Sequence, residues 1–199
     1  MLMDSEGNEI DGDMVEAVCA IDLKQRGLLA GDTAVSTVMA NLGLTHALRD
    51  AGINLIQTKV GDRYVLEAMR EGGYVIGGEQ SGHTIFLEHN STGDGLVTAL
   101  QFLAACKRAG KSAGEAAKAM TRFPQTLINV RVKDKHAADG NQAIADAVAA
   151  AEAALGEDGR VLLRPSGTEP VVRVMVEAMD EQAAERHAKA IAEVVECEI

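Results

Sequence analysis

The sequence predicts an α/β layered domain with a mixed sheet, followed by a small α+β domain with an antiparallel sheet and two helices on one face. In the first part of the chain, β-rich runs alternate with amphipathic helical stretches, which is the order expected of α/β layers. A Pro-containing break at 122–125 precedes a strand, helix, strand, strand, helix order. We therefore expect domains at 11–121 and 126–199 and a linker at 122–125.

The first domain is expected to begin with a helix whose N-terminus is acidic. Asp11 and Asp13 stand just before an amphipathic pattern that starts at Met14 and stops at Gly27. A metal loop would need a further carboxylate at alternate spacing, and none follows. Helix capping by these acids is therefore favoured over metal binding.

Strands and helices then alternate along the first domain. Four β-rich runs are predicted to be strands: 33–39, 54–60, 74–77 and 84–87. Helical patterns lie between and after them, at 44–52, 64–70, 95–109 and 113–120. Asp62 and Asp94 stand shortly before two of these helices, so each is interpreted as a helix cap.

The last two strands of this domain are joined by residues 78–83, sequence GEQSGH, called the 78–83 loop below. Glu79 accepts hydrogen bonds, Ser81 donates and accepts them, and His83 exchanges a proton near neutral pH. Together these groups suit a polyhydroxylated ligand. An ordinary glycine-flanked hairpin with a structural histidine is the competing interpretation, and composition alone favours neither.

The second domain is predicted to begin with a half-buried strand at 126–133, because apolar and polar residues alternate there. An Ala-rich helix is expected at 141–155 and a final amphipathic helix at 181–195. Two apolar runs lie between these helices and predict a hairpin, whose connection is rich in Pro, Ser, Gly and Thr.

That connection is residues 164–170, sequence RPSGTEP, called the 164–170 loop below. Arg164 offers a planar fork of donors that matches phosphate or carboxylate. Ser166 and Thr168 offer hydroxyls, and Gly167 lets backbone N–H groups turn toward one point. A solvated hairpin is the competing interpretation. The arginines that flank the loop favour an anion site.

Composition argues against several classes of function. The formal net charge of −11 repels nucleic acid and anionic membranes on average, and an aromatic content of 3% argues against single-stranded nucleic-acid binding. We find no signal-peptide pattern and no apolar run that would span a bilayer. The widely spaced Cys19, Cys106 and Cys197 are interpreted as reduced thiols. We therefore expect a cytoplasmic protein without nucleic-acid or membrane partners.

The GEQSGH and RPSGTEP motifs, in this order and at this separation, resemble those of the α-D-phosphohexomutases, most closely the bacterial phosphoglucosamine mutases. The segments TKVGDRYV at 58–65 and STGDG at 91–95 are similar to the same subgroup. The resemblance covers essentially the whole chain but only the third and fourth of the family's four domains, and it implies that residues 1–10 are a remnant of the preceding domain. The family's phosphoserine motif and acidic magnesium loop do not occur here, so we expect a fragment that is inactive alone.

The resemblance implies roles in phosphate binding for part of the 164–170 loop. The residues that match the family's phosphate-holding loop are Arg164, Ser166, Gly167 and Thr168. Arg173 is expected to be a neighbour of that loop, if strand alternation turns it to the same face.

The resemblance also implies a sugar-binding role for the 78–83 loop. Glu79 and Ser81 match ligands of the sugar hydroxyls, and His83 is the candidate for proton transfer or positioning. A purely structural histidine remains the alternative. Asp62 and Arg63 are weaker candidates to line the same cleft.

The activity implied is an isomerase that interconverts glucosamine 6-phosphate and glucosamine 1-phosphate through a phosphoserine and a bisphosphate, on the route to UDP-N-acetylglucosamine. No cofactor or metal is expected on this chain, whereas magnesium and a hexose bisphosphate activator are expected for the full enzyme. The expected partners are the phosphosugar and the missing N-terminal domains. Phosphomannomutase or phosphoglucomutase activity, and a non-catalytic sugar-phosphate binding module, are the alternatives.

Overall fold

The structure is a computed structural model that describes residues 2–199. It forms two compact units, Met1–Arg122 and Phe123–Ile199. The division lies within the segment predicted as a linker, and Gln125 at the end of that segment already begins a strand.

The first unit contains six strands and five α-helices among the described residues. The strands are β1 Leu2–Met3, β2 Glu9–Ile10, β3 Thr33–Thr37, β4 Asn54–Thr58, β5 Ile76–Gly78 and β6 Thr84–Phe86. The helices are α1 Gly12–Gln25, α2 Leu42–Asp50, α3 Asp62–Gly72, α4 Gly95–Ala109 and α5 Ala113–Ala117.

Four of these strands form a sheet in the order β4-β3-β5-β6. Strand β3 runs parallel to both β4 and β5, whereas β5 and β6 are antiparallel. This arrangement confirms the predicted mixed sheet. Because parallel strands end at the same edge, the connection after β4 and the loop after β5 leave the sheet on the same side.

Side chains along a strand alternate between the two faces of a sheet, and both faces of this sheet are covered. Ala34 and Ile76 pack into a large core with α1, α2 and α4, and Val35 packs into a smaller core with α3. Ala34 and Val35 are adjacent and point to opposite faces, so the first unit has three layers.

Strands β1 and β2 form a separate antiparallel pair. The capping predictions for the helices of the first unit are correct at some positions and wrong at others. Asp11 caps α1 by accepting from the Met14 N–H at 3.0 Å, and Asp94 caps α4, which confirms both predictions. The cap interpretation of Asp62 is wrong because Gly61 occupies that position and no side chain caps α3.

The second unit is a three-stranded antiparallel sheet with two helices on one face, as predicted. Its strands are β7 Gln125–Arg131, β8 Gly159–Pro165 and β9 Val171–Ala178, in the order β7-β9-β8. Its helices are α6 Gln142–Leu155 and α7 Glu181–Glu198. Val172, Val174 and Val176 alternate along β9 and share a core with both helices. The residues between them therefore lie on the opposite face of this sheet.

Two further expectations concern the described residues. None of their helices is both long and apolar enough to cross a membrane. The three cysteines carry free thiols, with Cys19 and Cys106 buried and Cys197 exposed.

Candidate functional site

The 78–83 loop is held in shape by the antiparallel β5–β6 hairpin that it closes. The Glu79 N–H donates to the His83 carbonyl at 3.0 Å, and the Gly82 N–H donates to the Glu79 carbonyl at 2.9 Å. Ser81 Oγ lies 3.2 Å from His83 Nδ1, and that nitrogen lies 4.0 Å from Glu79 Oε2. The structure therefore brings the three predicted polar side chains together, and their roles toward a ligand stay predictions.

Glu79 also connects this loop to the start of α3. Its Oε1 accepts a hydrogen bond from the Gly61 N–H at 3.0 Å. The next two residues, Asp62 and Arg63, are exposed. Arg63 donates to Glu67 at 2.8 Å, an i,i+4 pair that commits its guanidinium to the surface of α3. Of these two weaker candidates, only Asp62 is left without such a partner among the described residues.

The N-terminus of α1 contacts the 78–83 loop. Sequence reasoning did not predict this contact. The Gly12 N–H donates to the Gln80 carbonyl at 3.1 Å, and Gln80 Nε2 donates to Asp13 Oδ2 at 3.2 Å. A Cβ at residue 12 would lie 2.9 Å from the Gln80 oxygen and 2.8 Å from the Gly82 nitrogen. The two backbones therefore touch only because residue 12 is glycine.

Asp13 therefore accepts a hydrogen bond from the 78–83 loop and is not a helix cap. It lies in the first turn of α1, is fully buried, and also accepts from the Asn41 N–H at 2.7 Å. The predicted capping role is correct for Asp11 and wrong for Asp13.

A second buried carboxyl group, Glu16, lies one turn further along α1. Burial raises the pKa of Glu16 well above its ordinary value, and the nearby Asp13 carboxylate adds to this effect. Ser36 Oγ donates to the Gly78 carbonyl at 3.0 Å, at the start of the loop. The folded state therefore favours the neutral acid form of Glu16.

The 164–170 loop is positioned by the pairing of β8 with β9. Arg164 and Arg173 are directly opposite each other in this pair, on the sheet face away from α6 and α7. Like charges in this arrangement repel. Burial and the charge of Arg173 lower the pKa of the Arg164 guanidinium from its ordinary value. The strand alternation therefore places Arg173 beside Arg164, as the prediction required.

Ser166 organises the interior of the loop. It is 2% exposed, and its N–H donates to the Val171 carbonyl at 2.9 Å. Its hydroxyl accepts from the Glu169 N–H at 3.3 Å and lies 3.5 Å from Arg173 Nη2. Arg173 also lies 3.3 Å from a Glu169 carboxylate oxygen, so one arginine of the pair has a carboxylate neighbour. In the described part of the chain, the Arg164 guanidinium has no hydrogen-bond or ion-pair partner.

Gly167 and Thr168 form the exposed tip of the loop. Gly167 was expected to supply a backbone conformation that turns N–H groups toward one point. Its φ angle is instead one that any residue adopts, and a Cβ there would meet no atom within 4 Å. The backbone thus does not require glycine at 167, and the space beside it is open.

One lysine from outside the loop contacts it, and sequence reasoning did not identify this residue. Lys135 follows β7, and its Nζ donates to the Ser166 carbonyl at 2.6 Å and lies 3.3 Å from the Gly167 carbonyl. Arg164 and Glu169 belong to the 164–170 loop, and Arg173 and Lys135 add two positive charges beside it. This local excess of positive charge contrasts with the chain's net charge of −11.

Comparison with known protein families decides which family has this arrangement. Residues 11–123 match the phosphoglucomutase/phosphomannomutase alpha/beta/alpha domain III, and residues 127–194 match the C-terminal domain of the same family. The chain belongs to the phosphoglucomutase/phosphomannomutase family. Both loops described above lie within the matched segments.

Curated relatives place the chain more narrowly within the phosphoglucomutase/phosphomannomutase family. It is 57% identical over 195 residues to the phosphoglucosamine mutase of Frankia alni, which covers 98% of this chain and 43% of that protein. The phosphoglucosamine mutase of Thermobifida fusca is 54% identical with the same coverage. The chain therefore spans less than half the length of the curated relatives that it matches.

Solved structures of the family share the fold. The N-acetylphosphoglucosamine mutase of Aspergillus fumigatus, in complex with GlcNAc-6P and magnesium, matches with a TM-score of 0.81 at 20% identity, over 98% of this chain and 49% of that one. A phosphoglucomutase/phosphomannomutase family protein of Burkholderia thailandensis matches with a TM-score of 0.73 at 22% identity, over 96% of this chain and 43% of that one. These likenesses confirm the fold class.

Among residues 2–199, no three His, Cys, Asp or Glu side chains are grouped so that they could hold a metal ion. The donor set needed for a hard cation such as magnesium is therefore not provided by the described residues, and we assign none of them to it.

Proposed function

We propose that this chain is the substrate-binding half of a phosphoglucosamine mutase, which interconverts glucosamine 6-phosphate and glucosamine 1-phosphate through a phosphoserine and a bisphosphate. The single observation that carries the proposal is the 164–170 loop, where two facing arginines stand beside free backbone donors. Identity above 50% to proteins named phosphoglucosamine mutase supports the choice of substrate.

The 164–170 loop is proposed to hold the phosphate that is not reacting. Each orientation of the sugar leaves one such phosphate, which must be fixed while the other is transferred in line. Arg164 lacks a partner among the described residues and can donate two parallel hydrogen bonds to phosphate oxygens. An anion between Arg164 and Arg173 would also relieve the repulsion between them. Ser166 and Arg173 complete the proposed site together with the amides of Gly167 and Thr168.

The 78–83 loop is proposed to hold the sugar. Glu79 accepts hydrogen bonds, and Ser81 donates and accepts them, so the pair can fix hydroxyl groups. His83 lies within hydrogen-bond distance of Ser81, and we propose that it positions Ser81 or transfers a proton at the sugar. Asp62 is proposed as a neighbouring contact, since Gly61 next to it is bonded to Glu79.

The remaining machinery is proposed to lie in the other domains of the complete enzyme. Relatives are more than twice as long as this chain, and the family's phosphoserine and magnesium loop are expected in the part that it does not match. Magnesium would neutralise charge on the transferred phosphoryl group, and a hexose bisphosphate would prime the serine. We infer that the chain alone binds sugar phosphate weakly and does not turn it over. Its location in the cytoplasm stays a prediction.

Binding and turnover of the 199-residue chain test this proposal. In calorimetric titrations, we expect glucosamine 6-phosphate to bind with millimolar affinity and more tightly than glucose 6-phosphate or mannose 6-phosphate. With magnesium and glucose 1,6-bisphosphate added, no conversion of glucosamine 6-phosphate is expected. Equal or tighter binding of the mannose ester would favour phosphomannomutase, and turnover by this chain would show that the proposed division of the machinery is wrong.

A further inference from the structure

We propose that Lys135 is a positioning residue for phosphate binding: it fixes the main chain of the 164–170 loop so that the N–H groups of Gly167 and Thr168 face the anion. The inference deepens the proposed function and rests on it for the identity of the anion. It is carried by three features of the second unit: two contacts of Lys135, two free amides, and the geometry of the peptide bonds between them.

The contacts of Lys135 are with consecutive backbone carbonyls. Its Nζ lies 2.6 Å from the Ser166 oxygen and 3.3 Å from the Gly167 oxygen. The side chain is half-buried, and among the described residues the ammonium group has no carboxylate partner. A lysine that needed only a counter-ion would be expected beside an acidic side chain. The ammonium group of Lys135 instead contacts backbone carbonyl oxygens of the loop.

The amides on the other side of these peptides have no partner. In residues 2–199, the N–H groups of Gly167 and Thr168 make no hydrogen bond, whereas those of the flanking Ser166 and Glu169 do. Both free amides are at the exposed tip of the loop. Successive backbone N–H groups of this kind form anion-binding concavities, which are called nests.

The peptide bond connects these two observations. The described chain has no cis peptides, and in a trans peptide the carbonyl and the N–H point in opposite directions. The Ser166 carbonyl shares a peptide with the Gly167 N–H, and the Gly167 carbonyl shares one with the Thr168 N–H. When Lys135 holds both carbonyls on one side, both N–H groups must face the other side.

This arrangement explains how a loop without a glycine-specific conformation can present its amides. The φ angle of Gly167 lies in a region open to any residue, so the backbone alone does not enforce the direction of these peptides. Lys135 enforces it from 31 residues away in the sequence. Its charge also adds to the field of Arg164 and Arg173 at the anion, although its contacts are with the protein.

Substitution of Lys135 in the 199-residue chain tests the proposal, with Lys133→Met as the matched control. Lys133 is exposed, belongs to the same segment, and makes no hydrogen bond or ion pair with the loop among the described residues. Its substitution by Met therefore removes the same charge. We expect Lys135→Met to lower the affinity for inorganic phosphate and for glucosamine 6-phosphate by about tenfold. Lys133→Met should change either affinity by less than about twofold.

Backbone amide NMR of the ligand-free variants separates positioning from charge alone. We expect Lys135→Met to shift the Gly167 and Thr168 amide resonances, Lys133→Met to leave them in place, and Lys135→Arg to retain most of the wild-type affinity. If Lys135→Met does not fold, Lys135→Gln replaces it with the same expectation. Equal affinities of the two methionine variants, or unmoved amides in Lys135→Met, would overturn the proposal.

The same experiments distinguish failure of this inference from failure of the proposed function. If the wild-type chain binds phosphate but not glucosamine 6-phosphate, the proposed substrate is wrong and the role of Lys135 stands. If it binds neither, the phosphate-binding role of Lys135 fails with the proposed function. If both bind and the Lys135 variants behave as wild type, only the role of Lys135 fails.

Discussion

The 78–83 loop and the 164–170 loop both connect antiparallel strands, but their polar groups differ in whether they have hydrogen-bond partners within the protein. In the 78–83 loop, backbone groups of Glu79, Gln80 and Gly82 are bonded within the hairpin or to α1. In the 164–170 loop, two amides and the Arg164 guanidinium have no partner among the described residues. The backbone of the 78–83 loop is therefore bonded to its surroundings, whereas the 164–170 loop keeps donors open for an anion.

The largest effect is expected where the 78–83 loop contacts α1. Gly12→Ala places a Cβ against the Glu79 carbonyl oxygen and within 2.9 Å of the Gln80 oxygen, and both are backbone atoms that cannot rotate away. We expect a loss of about 3 kcal/mol in the free energy of unfolding, measured by urea denaturation.

The control for this change is Gly95→Ala. Gly95 is likewise the first residue of its helix, α4, and a Cβ there would meet no atom within 4 Å. This variant should be as stable as the wild type or slightly more stable. Similar stability of the two variants would show that the close contact of α1 with the 78–83 loop is not present in solution.

The second largest effect is expected at the open loop. Arg164→Ala should lower the affinity for inorganic phosphate roughly 10- to 100-fold, because a charge-assisted donor pair is lost. Its free energy of unfolding should not fall, since the substitution removes repulsion with Arg173. Calorimetric titration and urea denaturation measure the two quantities, and Arg186→Ala, at an exposed position on α7, is the control. An unchanged phosphate affinity would contradict the assignment of this loop.

Gly167→Ala tests whether Gly167, unlike Gly12, tolerates a side chain in the folded protein. No atom lies within 4 Å of a Cβ at this position, so the free energy of unfolding should change by less than about 0.5 kcal/mol. If the anion occupies the space beside Gly167, its affinity should fall by about tenfold, equivalent to roughly 1.4 kcal/mol. Phosphate titration measures this effect. Wild-type affinity would indicate that the anion does not approach the tip of the loop.

A pH-dependent effect is expected at Glu16, beneath the 78–83 loop. Because its folded-state pKa is raised, the folded chain retains a proton that the unfolded chain loses, and stability falls as pH rises through the folded pKa. Asp13 and Cys19 are the titratable groups near it. Glu16→Gln keeps the neutral shape, so its stability should exceed that of the wild type increasingly as pH rises. Urea denaturation from pH 5 to 9 measures this difference, and a constant difference would contradict a raised pKa.

The helices, the strands and the positions of the two loops could be predicted from sequence because they depend on residues that are close together in the chain. The alternation of apolar residues in β7 and β9 and the capping residues Asp11 and Asp94 act within a few residues. The same local reasoning failed at Asp62, because the chain enters α3 one residue earlier and the cap position belongs to Gly61. An error of one residue suffices to move a carboxylate from a capping position into the first turn.

The supporting residues of both loops could not be predicted because their causes are tertiary. Asp13 contacts Gln80 across 67 residues, and Lys135 contacts Ser166 across 31 residues. Neither pair has a motif spacing that would connect the two positions. Gly12 reads as an ordinary residue before a helix until the 78–83 loop is seen packed against it. Pattern reasoning therefore finds the groups that face a ligand more easily than those that hold them.

In the proposed function, the 164–170 loop binds the phosphate and the 78–83 loop binds the sugar. Backbone amide NMR of the 199-residue chain tests this division, in separate titrations with inorganic phosphate and with glucosamine 6-phosphate. We predict that phosphate shifts the amides of Gly167 and Thr168 and leaves the 78–83 loop unchanged, and that glucosamine 6-phosphate shifts both loops. Phosphate-induced shifts in the 78–83 loop, with none at Gly167 and Thr168, would contradict this assignment of phosphate to the 164–170 loop.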